Sequence, residues 1–232
     1  MKNMNFDILR VFESSYPGLN FSAELGSVDD YLQTVAEYLP LIQEQNDKRF
    51  RARLSRGFPK LTDENLAEEW KIHERTNRTL IPSLLVGSVV VALWSAFEQS
   101  VNELCRYIAE REQSPLVLHD LREIDLGKKV SKFIATLTNE SIDLPVTISS
   151  IQLLRNIYAY HNGSIAKLGD AQMKSVKRMA ASSDGVHLAG EIVVLSVDYL
   201  RRCFSDIDSA LQRILDLIQA RYPVAQQGQG SE

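Results

Sequence analysis

The sequence is poor in the residues that build disulfide frameworks and metal sites. It contains two cysteines and four histidines. The cysteines, Cys105 and Cys203, lie far apart in the chain and in helical patterns, and no Cys/His cluster has the spacing of a zinc site. We therefore expect two buried thiols in a reducing compartment, with no metal ion and no cofactor.

Other absences limit the function. The sequence has no internal repeat and no glycine-rich phosphate loop, and MKNMNFDILRVF lacks the apolar core and cleavage site of a signal peptide. A cytoplasmic location is therefore expected. The net charge is −4, so no global positive field indicates nucleic-acid binding. This bears little on an enzyme that handles RNA transiently, because such an enzyme needs only a local positive field.

Residues 79–97, TLIPSLLVGSVVVALWSAF, form a stretch without charge at the lower length limit for a membrane span. Pro82, Gly87 and several serines dilute its hydrophobicity, and an amphipathic stripe follows it. That stripe comprises Phe97, Val101, Leu104, Cys105 and Ile108. A central core helix explains both halves, so no membrane association is expected. A membrane-associated protein is the alternative, and it would fractionate with membranes.

The chain has 232 residues, of which 44% are hydrophobic and 24% charged, as in globular proteins. Apolar residues recur at helical spacing along most of it, and this predicts an all-α fold. The predicted helices cover residues 27–56, 62–108, 119–139, 147–161 and 196–222, with a modest helix after residue 163. A glycine-bounded alternating pattern in SSDGVHLAGEIVVL predicts a small β-hairpin near 184–195.

The segment 48–60, KRFRARLSRGFPK, carries six cations and no acid. The cations are Lys48, Arg49, Arg51, Arg53, Arg56 and Lys60. One interpretation is a surface that follows a phosphate backbone, with Phe50 and Phe58 available for stacking. The favoured interpretation is a solvated helix end whose cations suit the helix dipole and pair with neighbouring acids.

The helix that carries the most distinctive pattern reads TISSIQLLRNIYAYHNG over residues 147–163. Thr147 is a suitable N-cap, and Asn162-Gly163 tolerates the left-handed conformation that ends helices. Apolar residues spread around most of its circumference, which predicts a buried helix. Arg155 emerges from this surface, and its charge requires either a carboxylate of the chain or the phosphate of a bound molecule.

At these residues the sequence resembles the HEPN superfamily. Arg155, the polar Asn156, four further residues and His161 match its motif, and ALWSAFEQSVNELC is similar to the aromatic-plus-Glu helix that many HEPN proteins place before the motif. The resemblance covers roughly residues 80–222. It implies an all-α bundle, a metal-independent ribonuclease and a dimer that brings two motifs together. Many such proteins belong to toxin–antitoxin, phage-defence and CRISPR-associated systems.

Cleavage of RNA without a metal needs a base, a cation at the phosphate and an acid for the leaving group. Arg155 can bind two phosphate oxygens, and His161 titrates near neutral pH. Because Arg155 and His161 are six residues apart on a helix, their side chains point about 120° apart around the helix axis and lie about 9 Å apart along it. One motif supplies one histidine, whereas the reaction needs both a base and an acid. Two copies of the motif, and therefore a homodimer, are expected. Asn156 is a supporting candidate: its amide can form a hydrogen bond with the substrate or hold a partner side chain in place.

Further residues are candidates by position. Lys167, Lys174, Lys177 and Arg178 follow the motif with Asp170 as the only acid among them, and they suit a local field that attracts RNA. Glu98 has two open interpretations: it orients Arg155 or His161, or it lies on a solvated face. The other histidines, His73, His119 and His187, are expected to be exposed, structural or incidental. Tyr158 and Tyr160 are expected to be core or interface aromatics.

The predicted organisation is an N-terminal helical extension over residues 1–60, a HEPN-like helical domain over 61–222 and a flexible tail over 223–232. The expected function is a dimeric endoribonuclease that yields a 2′,3′-cyclic phosphate, acting as a toxin or defence effector. A cognate antitoxin or regulatory protein would then be a partner. The alternative is a catalytically inactive helical module that binds a partner protein or nucleotide, with Arg155 neutralised by a carboxylate such as Glu98.

Overall fold

The computed structural model describes residues 22–57 and 62–223. This part of the chain is mostly helical and contains one two-stranded antiparallel sheet, so the all-α prediction and the predicted hairpin are confirmed. The interpretations of residues 1–21, of Phe58 and Lys60, and of the tail beyond residue 223 fall outside the described residues.

The elements follow the chain in a simple order. The helices are α1 (Ser22–Gly57), α2 (Asp63–Arg75), α3 (Ile81–Arg111), α4 (Leu126–Thr138), α5 (Thr147–His161), α6 (Asp170–Ser182) and α7 (Val197–Arg221). A π-helical turn (Thr76–Leu80) joins α2 to α3, and a short 3₁₀ turn (Leu118–Asp120) precedes α4. Strands β1 (Val186–Ala189) and β2 (Ile192–Leu195) pair between α6 and α7.

One predicted helix differs from the structure for local reasons. The single helix predicted over 119–139 is divided, because Asp120 accepts a hydrogen bond from the Val117 amide at 3.0 Å and closes a separate short turn. Helix α4 then begins after Asp125, whose carboxylate accepts from the Lys128 amide at 2.9 Å. It ends at Asn139, which has a φ of 59°.

A proline in a helix interior usually kinks or breaks the helix, yet the helical chain that contains Pro82 runs without a break from Asp63 to Arg111. In a regular α-helix the proline ring meets the carbonyl of the residue four positions earlier, here Arg78. Arg78 lies in the wider π-helical turn Thr76–Leu80. The turn therefore accommodates the proline within a continuous helix.

This continuous helix is long and apolar enough to cross a membrane by length and composition alone. However, 56% of its most apolar window is buried inside the protein. A buried core helix passes the same test of length and composition, so the finding is weak support for a membrane span.

The described residues form two compact units. The helical unit contains residues 22–27, 93–152 and 203–223, and the hairpin unit contains residues 28–57, 62–92 and 153–202. The core of the helical unit includes Phe97, Leu104, Ile108, Val130, Phe133, Ile134, Phe204, Leu211 and Ile214. The core of the hairpin unit includes Leu32, Val35, Val86, Val89, Leu154, Ile157, Val176, Val193 and Leu200.

Both cysteines are buried thiols in the helical unit, as predicted. Burial raises the pKa of Cys105 to about 12, because the thiolate would lose its hydration there. Cys105 is therefore a protonated, unreactive thiol at neutral pH, and its contribution is to packing.

An ion-pair group ties the end of α7 within the helical unit. Arg221 Nε donates to Glu112 at 2.7 Å, the Tyr222 hydroxyl donates to the same carboxylate at 2.6 Å, and Arg221 also reaches Glu140 at 3.0 Å. The hydrogen bond from Arg221 is the main reason that the pKa of Glu112 lies below its ordinary value. Such a carboxylate stabilises the fold above its unfolded-state pKa and loses that contribution as the pH falls through the folded-state pKa.

We therefore expect Glu112→Gln to lower the melting temperature at pH 7, and we expect its difference from wild type to shrink below about pH 4. Thermal unfolding followed by circular dichroism at pH 7, 5, 4 and 3 checks this. Glu110→Gln, at an exposed position in the last turn of α3 and two residues before Glu112, is the matched control and should stay near wild type throughout. A Glu112→Gln difference that is constant over the whole range would contradict the expected linkage.

Candidate functional site

Helix α5 carries the Arg155–His161 motif, and it is buried on one face only. The residues at spacings of three and four that face the interior are Ile148, Ile151, Leu154, Ile157 and Tyr158. Ala159 and Tyr160 are exposed, so the prediction of a helix buried around most of its circumference is wrong. The predicted end is confirmed, because Asn162 and Gly163 have φ values of 50° and 82° after the last helical residue, His161.

The C-terminal end of α5 is fixed to the hairpin within the hairpin unit. The Tyr158 hydroxyl donates to the Val193 carbonyl at 2.8 Å, and the Val193 amide donates to the Gly163 carbonyl at 2.9 Å. Ser83 Oγ donates to the same Val193 carbonyl at 2.9 Å. Burial raises the pKa of Tyr158 well above the ordinary tyrosine value, so this hydroxyl remains a donor at physiological pH. These hydrogen bonds hold the C-terminal end of α5, which carries the motif, rigidly against the hairpin.

Arg155 is half-buried, and neutral groups hold it. Its Nη1 donates to Asn156 Oδ1 at 3.0 Å and lies 3.4 Å from the Tyr160 hydroxyl, and its guanidinium carbon lies 5.6 Å from the centre of the Tyr160 ring. The buried Nε has no hydrogen-bond acceptor among the residues that the structure describes. Within the described part of its own unit, Arg155 has no carboxylate within 4.0 Å. Its positive charge is therefore positioned without being neutralised there.

His161 occupies the last turn of α5 and is half-buried. Its backbone carbonyl accepts from the Ser164 amide at 2.9 Å, which fixes the position of the main chain. The imidazole forms no hydrogen bond with the described residues of the hairpin unit, so both ring nitrogens are free to accept or donate a proton there. An imidazole whose nitrogens are not engaged can act as a general base or a general acid.

Tyr160 lies beside Arg155 in the candidate site, a position that its interpretation as a core or interface aromatic did not include. Its side chain is 69% exposed and approaches Arg155, so it is not a core aromatic. A positional signal was present, because two residues of helix turn it about 200° away from the buried Tyr158. Asn156 and Tyr160 together orient the guanidinium through a hydrogen bond and a cation–π contact.

The cations that follow the motif lie in the same unit. Lys174, Lys177 and Arg178 share one exposed face of α6, opposite the buried Val176 and Met179. Lys167 is exposed and precedes α6, so it does not belong to the modest helix predicted after residue 163, which holds the other three cations. The structure thus provides a positively charged face on α6, next along the chain from α5.

Glu98 belongs to the helical unit, where it is half-buried and lines a cavity of about 650 Å³ that Arg106 and His119 also line. His119 and His187 are exposed, in agreement with the sequence interpretation. Among the described residues no group of three or more His, Cys, Asp or Glu side chains is placed to hold a metal ion.

His73 does not fit its predicted role as an exposed surface residue. Its Nε2 lies 2.8 Å from Asp47 Oδ1, its ring stacks on Phe50 with centres 4.0 Å apart, and its side chain is 14% exposed. Phe50 is buried, so it is not available for stacking with a base. Asp47 and Phe50 lie on α1 and His73 on α2, so single-helix patterns could not reveal the cluster.

Comparison of the chain with protein-family models, curated proteins and solved structures finds no match in any of the three.

Proposed function

We propose that the protein is a metal-independent endoribonuclease of the HEPN type that acts as a homodimer. The observation that carries this proposal is the state of Arg155. Its guanidinium is held by the neutral Asn156 and Tyr160, and the described part of its own unit supplies no carboxylate within 4.0 Å. Arg155 also shares a rigidly supported helix with the half-buried His161. A positioned cation beside an available imidazole suits a phosphodiester substrate.

In the proposed reaction, Arg155 binds the oxygens of the scissile phosphate and stabilises the charge that builds there. His161 takes the proton of the ribose 2′-hydroxyl, whose oxygen then bonds to phosphorus. The bond from phosphorus to the 5′ oxygen breaks, and that oxygen takes a proton from the imidazolium of His161 in the second copy. The products are a 2′,3′-cyclic phosphate and a 5′-hydroxyl.

The proposal assigns supporting roles to neighbouring residues. Asn156 and Tyr160 position the guanidinium, and Lys167, Lys174, Lys177 and Arg178 supply the local field that attracts RNA. Nucleases of this type are often toxins or phage-defence effectors, so we include that role, a cytoplasmic location and a cognate antitoxin or regulatory protein in the proposal.

The test is cleavage of RNA by the purified full chain in excess EDTA, with chemical analysis of the product ends. We expect cyclic-phosphate ends for the wild type and a loss of rate of about 10²- to 10³-fold for Arg155→Ala, as when a preorganised charge stabiliser is removed. Arg122→Ala, at an exposed arginine of the helical unit, is the matched control and should cleave at the wild-type rate.

Two results would count against the nuclease. Equal rates for Arg155→Ala and wild type would indicate another site or a contaminant. A folded dimer of the wild type without cleavage of any RNA supplied would favour the alternative, a catalytically inactive helical module that binds a partner protein or nucleotide.

A further inference from the structure

A second polar cluster in the hairpin unit lines a cavity of about 300 Å³ between α1 and the helix formed by α2, the π-helical turn and α3. Helix α1 contributes one face at spacings of three and four: Asn46, Arg49, Phe50 and Arg53. The opposite wall is formed by His73, Thr76, Asn77 and Ile81, whose spacing also places them on one face. We call this cavity the α1–α2 groove.

The back of the groove is rigid. Asp47 Oδ1 accepts from Asn77 Nδ2 at 2.7 Å and lies 2.8 Å from His73 Nε2, and Asp47 Oδ2 accepts from Arg78 at 2.8 Å. Asn77 is buried, and it also bonds the Gln43 carbonyl at 2.9 Å and Asn46 at 3.1 Å. The hydrogen bond with His73 is the main reason that the pKa of Asp47 lies below its ordinary value. The Asp47 carboxylate therefore forms its hydrogen bonds within the wall of the groove and does not present a free negative charge to a ligand.

The mouth of the groove is positively charged. Arg49 and Arg53 are exposed and lie four residues apart on α1, where like charges destabilise a helix unless an anion lies between them. Arg53 has one distant acidic neighbour, Glu69 at 3.8 Å, and its guanidinium carbon lies 5.3 Å from the centre of the Phe50 ring. By contrast, Lys48 on another face of the helix pairs closely with Glu44 at 2.6 Å.

We propose that the α1–α2 groove is a phosphate-binding site, in which Arg49 and Arg53 bind the phosphate oxygens against the wall formed by His73 and Asn77. Two guanidinium groups one helical turn apart match the size and charge of a phosphate, and each can donate two parallel hydrogen bonds. The π-helical turn fits a binding role, because such turns are frequent at functional sites. The site does not require Arg155 or His161, so it stands independently of the proposed nuclease.

The phosphate can belong to the backbone of a single-stranded nucleic acid or to a terminal phosphomonoester such as that of a mononucleotide. The chemistry of recognition is the same for both, and competition distinguishes them. The probes are a fluorescein-labelled 2′-O-methyl RNA 12-mer without terminal phosphates, adenosine monophosphate and inorganic phosphate. The 2′-O-methyl group removes the nucleophile, so the assay reports binding even if the protein cleaves RNA.

The experiment measures binding of these probes to the full-length protein at low salt by fluorescence anisotropy and calorimetry. We expect Arg49→Gln and Arg53→Gln each to weaken binding of at least one probe about tenfold. The matched control is Arg51→Gln, which removes the same charge from the same helix but lies about 150° around it from the face that lines the groove. This variant should change binding less than about twofold, as expected for a general field.

Each outcome decides the proposal. Competition by adenosine monophosphate or inorganic phosphate assigns the groove to terminal phosphates, and binding of the 12-mer alone assigns it to backbone phosphates. Equal losses for Arg51→Gln and the two groove variants would overturn the site, because binding would then follow net charge alone. Absence of binding by all three probes would also overturn it. Neither of these two results would affect RNA cleavage that depends on His161. A failure of the proposed phosphate site can therefore be distinguished from a failure of the proposed nuclease.

Discussion

Replacement of His161 by alanine is expected to reduce RNA cleavage in EDTA by at least about 10³-fold. General acid or base catalysis by one side chain contributes about 10²- to 10⁴-fold, and in a symmetric dimer the substitution removes both the base and the acid. The rate should fall while RNA binding persists, because Arg155 and the cations of α6 remain. Single-turnover cleavage and equilibrium binding, measured on the same preparation, separate the two effects.

His187→Ala provides a matched control for this result, because His187 is also a histidine of the hairpin unit but lies exposed on β1. It should cleave at the wild-type rate.

A mixing experiment tests the dimer directly. If subunits exchange and each site uses both copies, excess His161→Ala protein should suppress the wild-type rate. A purely additive rate would show that one copy suffices, and an unchanged rate for His161→Ala alone would remove His161 from the mechanism.

The parts of the fold that were predicted correctly depend on local chemistry. Asn162-Gly163 ends α5 because both residues adopt positive φ, and the alternating pattern after Gly185 forms the β1–β2 hairpin. Such signals act within a few residues, so they can be read from the chain without knowledge of its packing.

The errors concern choices that tertiary structure or side-chain capping decides. Periodicity predicted one helix over 119–139, whereas the carboxylates of Asp120 and Asp125 close a short turn and cap a new helix. His73 looked solvated among Lys71, Glu74 and Arg75, yet α1 supplies Phe50 and Asp47 as partners. A partner on another helix cannot be inferred from spacing within one helix.

The candidate site divides in the same way. Arg155, Asn156 and His161 can be named as candidates from the sequence alone, because their spacing is a linear pattern on one helix. For Tyr160 the sequence predicts a core or interface aromatic, and only the orientation of α5 shows that it is exposed and does not belong to the core. The sequence does not decide whether the partner of Arg155 is a carboxylate of the chain or the phosphate of a bound molecule. That choice depends on which side chains α5 contacts in the folded protein.

Substitution of Gly87 by alanine is expected to destabilise the protein by about 3 kcal/mol, although alanine favours a helix interior by about 1 kcal/mol over glycine. A Cβ at position 87 would lie 2.1 Å from Tyr158 Cδ1, well inside contact distance. The Tyr158 ring is buried and its hydroxyl is bonded to the Val193 carbonyl, so it cannot move aside without loss of packing and of that bond. Denaturant unfolding measures the change, and a lowered cleavage rate should accompany it because Tyr158 supports the end of α5.

Gly169→Ala is the control, since nothing lies within 4 Å of a Cβ there and its φ of −69° suits any residue. It should leave stability within about 0.5 kcal/mol of wild type. The cause can be tested in a Tyr158→Leu background, where the ring is absent and Gly87→Ala should cost markedly less, as expected for residues in contact. An undiminished cost in that background would show that the clash with Tyr158 is not the reason. Equal stability of Gly87→Ala and Gly169→Ala would show that α3 and α5 adjust freely, and the rigid support proposed for Arg155 and His161 would then have no basis.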